Sequence, residues 1–446
     1  MKPLGIVGQS VKRRDGIGHV TGQTQYVDDV SYPNMLWLKM VRSPVARGQI
    51  RKLDVSKAEA YPGVAAVVTW KDVPNNWYTI LCLIGVEPND EPVLAHEEVM
   101  WQGEPICAII AETEEIAREA MGLVELEIEE QAPVLDVFEA IKPGAPVIKK
   151  WGTNTFTYEN GAPMRRVRFG DVDKGFAEAD YIIEGTYRIT PYEHVPLETQ
   201  TCVVKPEPDG RLTIHTNTQA LYFTMDNTAI ILQVPSNRLH MIGGTVGGGF
   251  GGKVDVVIEP VTTIAAMKTG RPVKWRWTRT EEFQVSSTSG AWHMEYKDGV
   301  MKDGRIVARK VRSLHDAGAY HRHSPYGVTK HSANLPGPYY IPNVWVDAYC
   351  VYTNRQPASA LRGFGVTPAS YAVEVQMDKI ARTLGMDPWE IRFVNAYRNG
   401  QMRAIRKEVQ DATLIETLQA AAKLVGHPLA EKFLAMHSND WKGAQP

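Results

Sequence analysis

Seven of the ten residues from Gly243 to Gly252 are glycine, in the run Gly-Gly-Thr-Val-Gly-Gly-Gly-Phe-Gly-Gly, and Lys253 closes it. A glycine held in ordered backbone costs roughly 0.5–1 kcal/mol more conformational entropy than alanine. The run therefore concedes about 4–7 kcal/mol against a total stability of about 5–15 kcal/mol. Something must approach this backbone closely. Either it is a crowded strand-to-helix crossing where side chains would clash, or it is a nest of amide N–H groups facing a ligand.

Three ligand motifs overlap on the run. Gly247, Gly249 and Gly252 meet the GxGxxG spacing of dinucleotide folds, but a tract this rich in glycine meets almost any glycine pattern. Gly247 with Gly252-Lys253 also meets GxxxxGK, the phosphate loop of nucleotide hydrolases. That loop next needs Ser or Thr to hold magnesium, and Val254 cannot ligate a hard cation. There remains a Gly-Gly-Gly-Phe-Gly-Gly-Lys stretch interrupted by phenylalanine at a fixed place.

The elements that must position this loop are legible around it. With 446 residues the chain should hold about three domains, and 43% apolar residues suffice for real cores. Basic and acidic residues number 49 and 51, a net charge of −2, so no global field draws the chain to nucleic acid or membrane. Cys82, Cys107, Cys202 and Cys350 are scattered, which argues against a protein-held zinc or iron–sulfur site and fits a reducing cytoplasm. The N-terminus lacks the apolar core of a signal sequence, and no stretch reaches the roughly 20 apolar residues of a membrane span.

β-Rich runs at Leu36 to Arg42, Val64 to Trp70 and Ile106 to Ala111 alternate with a helix at Thr113 to Val124, capped by Thr113. Strand-like runs recur at Tyr181 to Tyr187, Thr201 to Lys205, Arg211 to Thr216 and Arg238 to Ile242, the last leading into the glycine loop. Val256 to Met267 reads as a helix despite Pro260, stopped by Gly270. Val373, Met377, Ile380 and Leu384 mark another helix, and Asp387-Pro388-Trp389-Glu390 opens a further one. The reading is an α+β chain: an α/β domain over residues 1–138, a proline- and glycine-rich linker over 139–168, and a second domain over 169–446.

The phenylalanine-interrupted loop resembles that of the molybdenum-binding subunit of the xanthine dehydrogenase and aldehyde oxidase family. Val20-Thr21-Gly22, Tyr26-Val27-Asp28-Asp29, Arg42-Ser43-Pro44, Pro62-Gly63-Val64 and Gly103-Glu104-Pro105 are similar to that family's α/β hammerhead domain. His194 to Glu198, Thr218-Gln219, Ile341-Pro342-Asn343 and Ala360 to Gly365 follow in family order, as in its first molybdopterin-binding domain. The resemblance implies that Gln219 donates its amide to an oxo ligand of molybdenum. It implies that Phe250 and Arg362 approach the metal ligands through backbone amides, beside Gly249 and Gly251, and that Phe364 packs on the substrate ring. It further implies a metal held by the dithiolene of its pterin, taken here in the cytosine dinucleotide form, with a sulfido or selenido ligand. In such a site the protein supplies donors and electrostatics. Water then provides the oxygen that enters an electron-poor carbon, and hydride passes to the metal centre.

Departures from the family pattern narrow the expectation. Val254 replaces the glutamate with which xanthine oxidisers bind purine. Counting back from Ile341-Pro342-Asn343, their substrate arginine falls on or near Lys330, which suits an anionic N-heteroaromatic ring such as nicotinate, with an aldehyde as the other substrate class. Gly363 stands where the carbon monoxide dehydrogenase branch has cysteine. No acidic residue matches the family's general base, so the catalytic glutamate is expected on a second molybdopterin-binding polypeptide, as in nicotinate dehydrogenases. The 2Fe-2S and FAD carriers are expected on partner subunits. A non-catalytic binding or assembly subunit that retains the fold is the alternative.

Overall fold

In a computed structural model, residues 5–428 are described and divide into two compact units, neither continuous in sequence. The first comprises the described residues up to Val99, Gly103–Glu130 and Val195–Ser286; the second comprises Met100–Gln102, Gln131–His194 and the described residues from Ser287 onward.

The first unit is built on a seven-stranded sheet in which Leu36–Arg42 lies between Pro105–Ala111, antiparallel, and Val273–Arg276, parallel. Beyond Val273–Arg276 follow Thr201–Pro206, Leu212–Thr216 and, at the edge, Leu239–Gly243; Val64–Val68 closes the other edge. Strands from both halves of the sequence thus share one sheet. Its central strands are buried on both faces: Leu36, Leu38 and Val273 line one, while on the other Ile109 and Val203 lie beside Lys39 and Lys274, whose buried ammonium groups pair with Glu114 and Asp28. The helix Glu114–Met121 packs on the sheet by Ala117 and Ala120, and Thr113 Oγ1 caps it by accepting from the Ile116 amide at 3.2 Å. The edge strand Leu239–Gly243 pairs in parallel with Leu212–Thr216 and releases the chain into the glycine loop.

The next helix begins at Glu259, three residues later than the apolar pattern suggests, and ends at Thr269. Pro260 sets that start. In the first turn its missing N–H costs nothing, whereas deeper in the helix its ring would clash with the preceding turn. The residues between strand and helix are thereby left to the loop.

The second unit carries a five-stranded sheet in the order Tyr181–Ile189, Trp292–Val300, Ile306–Gly318, Val344–Tyr352 and Arg165–Phe169. Helices Ser324–Asn334 and Val366–Leu384 pack on it and on each other, the latter burying Val373, Met377 and Ile380. Asp387 caps the helix Pro388–Asn395 through the Trp389 amide at 2.7 Å. The proline- and glycine-rich stretch 139–168 belongs to this unit and buries Ile148, Asn154, Phe156 and Tyr158.

Under the sheet, Arg309 meets Asp298 through paired bonds at 2.7 and 2.9 Å, donates to the Pro336 carbonyl at 2.9 Å and is fully enclosed. Gln376 adds a donor to the same carboxylate at 3.0 Å. Because a stranded buried carboxylate is costly, Arg309→Met should destabilise the second unit by about 3–5 kcal/mol in urea or thermal unfolding.

Candidate functional site

The glycine loop wraps around the side chain of Gln219. The amides of Gly251 and Lys253 point at Gln219 Oε1 at 2.9 and 3.4 Å. An amide N–H can only donate, so the carboxamide atom facing them is the oxygen and the NH2 group faces away. The Gln219 backbone is held too, its amide donating to the Lys253 carbonyl at 2.8 Å.

Glycine is required at two of these positions. A Cβ on Gly249 would lie 2.4 Å from Gln219 Oε1 and displace the carboxamide, and Gly251 sits at φ 108°, closed to side chains. Between them Phe250 adopts φ 51°, a left-handed conformation rare for an aromatic residue, with its ring half exposed. The amides of Gly248, Gly249 and Phe250 have no hydrogen-bond partner among the described residues. The loop thus presents a row of N–H donors beside the free NH2 of Gln219. Val254 closes the turn, its amide donating to the Gly251 carbonyl at 3.2 Å.

Beneath the loop Lys253 is buried, its Nζ 2.9 Å from Glu198 Oε2, which also accepts from the Gly247 amide at 2.7 Å. Burial pushes the Lys253 ammonium below its ordinary value, and the Glu198 carboxylate opposes that shift.

The second unit holds a loop of the same design. Gly363, Phe364 and Gly365 all have positive φ, at 90°, 31° and 81°, immediately before the helix Val366–Leu384. Both loops are Gly-Phe-Gly turns with the aromatic forced left-handed. The Arg362 amide has no partner among the described residues, and the residue is exposed. The Phe364 ring lies 5.6 Å from that of Tyr326, over which Lys330 Nζ stands at 4.9 Å. Tyr326 and Lys330 are four residues apart on the helix Ser324–Asn334, hence on one face. Tyr326 does not stand out in the sequence; its spacing from Lys330 is the signal that could have found it. A cavity of about 20 Å3, room for one water, opens between Arg362, Phe364, Gly365 and the buried Trp292 and His315.

His331, on the buried side of the same helix, fixes this loop. The Gly365 carbonyl, 2.7 Å from His331 Nδ1, can only accept, so Nδ1 carries the hydrogen and Nε2 accepts from Ser313 Oγ at 3.0 Å. Trp292 lies between His331 and His315, at 4.1 and 4.0 Å.

The structure therefore brings Gln219, Gly249, Phe250, Gly251 and Val254 together in the first unit, and Arg362, Phe364 and Lys330 together in the second. As a cofactor site these residues offer hydrogen-bond donors to an acceptor-rich group; no group of three or more His, Cys, Asp or Glu that could hold a metal stands together among the described residues. Such donors fit a metal that arrives with its own chelate.

An aldehyde oxidase and xanthine dehydrogenase a/b hammerhead domain is matched over residues 21–132, and a molybdopterin cofactor-binding domain over 156–396. A hammerhead followed by a cofactor-binding domain defines the class: a molybdopterin-binding oxidoreductase chain. The chain is 34% identical to the nicotinate dehydrogenase large molybdopterin subunit of Eubacterium barkeri, covering 94% of this chain and 96% of that protein. It is 33% identical to the xanthine dehydrogenase/oxidase of Gallus gallus, over 92% of this chain and 29% of that one. Its fold matches the aldehyde oxidoreductase of Desulfovibrio gigas with a TM-score of 0.87 at 29% identity, over 94% of this chain and 46% of that one. The chain thus spans nearly all of the first relative, but less than a third of the second and about half of the last. It belongs to the xanthine dehydrogenase and aldehyde oxidase family, as a molybdopterin-binding large subunit.

Burial holds the imidazole of His331 at about 4 and that of His315 at about 3, so both are neutral in the folded chain. The unfolded chain binds protons from about pH 6.5 downward. Stability is therefore fully present above that pH and falls as pH drops toward 4, by on the order of 3 kcal/mol for His331 alone. Urea unfolding between pH 7 and 4.5 should show this slope, and His331→Gln should flatten it.

Proposed function

We propose that this chain is the molybdopterin-binding subunit of a multi-subunit molybdenum hydroxylase that oxidises an electron-poor ring carbon of an N-heteroaromatic carboxylate, nicotinate-like, with oxygen from water. The observation that carries the reading is the posture of Gln219, its oxygen tied down by the Gly251 and Lys253 amides and its NH2 free beside the unpartnered amides of Gly248, Gly249 and Phe250. When bound, the molybdenum cofactor supplies the two-electron oxidation. The chain's own residues orient and stabilise it. Gln219 would donate through its NH2 group to an oxygen ligand of the metal, with its own oxygen held by the Gly251 amide; the unpartnered amides of Gly249 and Phe250 in the first unit, and that of Arg362 in the second, would be further donors for the cofactor. Donors fixed in place before the reaction would stabilise negative charge that develops on the bound group, which is where a donor contributes most.

Substrate selection is assigned to Phe364, whose ring receives the heteroaromatic plane, and to Lys330, whose ammonium faces the carboxylate across Tyr326. Val254, an apolar wall, offers nothing to a purine. The general base is proposed to come from a second molybdopterin-binding polypeptide. The exposed apolar side chains of Leu197, Tyr222 and Phe250, near Gln219 and its loop, support a covering partner. The cytosine dinucleotide form of the pterin, a sulfido or selenido ligand, 2Fe-2S and FAD on further subunits, and a cytoplasmic location belong to the same proposal. Among the described residues no helix is long and apolar enough to cross a membrane. Domain limits of 1–138, 139–168 and 169–446 are proposed with it.

Metal, selenium and pterin analysis of the native complex, with a screen of heterocycles, tests the assignment; a complex without molybdenum would overturn it. In the assembled enzyme, Gln219→Ala should slow reduction by substrate about 10²–10³-fold in stopped-flow traces, and an unchanged rate would reject its role. Lys330→Met should raise KM for a carboxylate-bearing ring about tenfold, the loss of one charge-assisted contact, while leaving a neutral aldehyde unaffected.

A further inference from the structure

We infer, building on the role proposed for Gln219, that Glu198 and Lys253 form a buried staple whose function is to hold the Gln219 carboxamide with its NH2 group outward. Glu198 Oε2 accepts from the Gly247 amide at 2.7 Å and from Lys253 Nζ at 2.9 Å, so one carboxylate oxygen joins the start of the loop to its end. The other oxygen, Oε1, is buried with no hydrogen-bond partner among the described residues, so the carboxylate is held through Oε2 alone. Glu198 is itself placed from both sides. Its amide donates to the Gly247 carbonyl at 3.1 Å, and Arg279 donates to the carbonyls of the preceding Pro196 and Leu197.

Lys253 carries the consequence to Gln219. The residue whose ammonium is clamped by Glu198 uses its own backbone N–H and C=O on Gln219, at 3.4 and 2.8 Å. Gly252 joins Lys253 to the loop residues that face outward, and the Gly252 carbonyl is held by Gln200 Nε2 at 3.3 Å. If the ammonium leaves, the Lys253 and Gly251 amides lose their place, and with them goes the pair of donors that decides which carboxamide atom faces the loop. Glu198 and Lys253 are therefore positioning residues that act through Gln219.

The test compares Lys253→Met, Lys253→Arg and the paired Glu198→Leu/Lys253→Met in the assembled complex, by hydrogen-exchange mass spectrometry of the peptide spanning the loop. Lys253→Met and the paired variant should exchange the loop amides about tenfold faster or more, and Lys253→Arg should restore protection. Lys253→Met should also slow reduction by substrate, and adding it to Gln219→Ala should cost little more, because both remove the same oriented donor. The paired variant removes both members of the Glu198–Lys253 pair at once and so decides the matter if Lys253→Met does not assemble. Loop exchange within about twofold of the native complex in the folded paired variant, or additive effects with Gln219→Ala, would overturn the inference. Native complex without molybdopterin would defeat the proposed function while leaving the exchange result to judge the staple.

Discussion

An amide N–H cannot accept a hydrogen bond. From this single constraint follows the chemistry offered by the first unit: with the Gly251 and Lys253 amides aimed at one end of the Gln219 carboxamide, that end must be oxygen and the other must be a donor. The glycines exist to permit this approach. A side chain at Gly249 would occupy the space of Gln219 Oε1, and one at Gly251 would meet a forbidden φ. The entropic cost of the tract is thus tied to the orientation of one side chain.

A similar economy of backbone appears in the second unit, where Gly363-Phe364-Gly365 repeats the Gly-Phe-Gly turn of Gly249-Phe250-Gly251. A left-handed aromatic costs of order 1–3 kcal/mol and persists only where neighbours over-determine it. Around Phe364 those neighbours are identifiable: its amide donates to the Leu361 carbonyl at 2.6 Å, its ring lies against Gly327, and His331 holds the next carbonyl. Strain at both turns has the same result, exposing backbone N–H groups that regular structure would have consumed.

Much of this was legible in the sequence because it was written in residue types with few alternatives. Thr113, Gly270 and Asp387 mark helix ends by capping chemistry, and the strands at Leu36, Thr201 and Leu212 follow from apolar runs. The family and its loops were legible from an ordered series of motifs. What the sequence could not reveal was long-range pairing. Nothing local says that Val273–Arg276 lies beside Leu36–Arg42, so the mixed sheet of the first unit was invisible to a reading along the chain. Tyr326 and the buried histidines escaped for the same reason, since their importance lies in Phe364 and Gly365, more than thirty residues away.

Exposure argues that neither loop works bare. Lys330 stands in solvent, where a charge pair at about 4 Å is worth about 1 kcal/mol, against about 4 kcal/mol at the effective dielectric of a covered protein surface. Gln219 is exposed as well, and a donor competing with water stabilises little. For a carboxylate to be selected by Lys330, and for developing charge to be felt by Gln219, water has to be excluded from both. Taken separately, the proposed donor Gln219 and the proposed recognition cation Lys330 each face outward, and on physical grounds each would act strongly only where water is excluded from it.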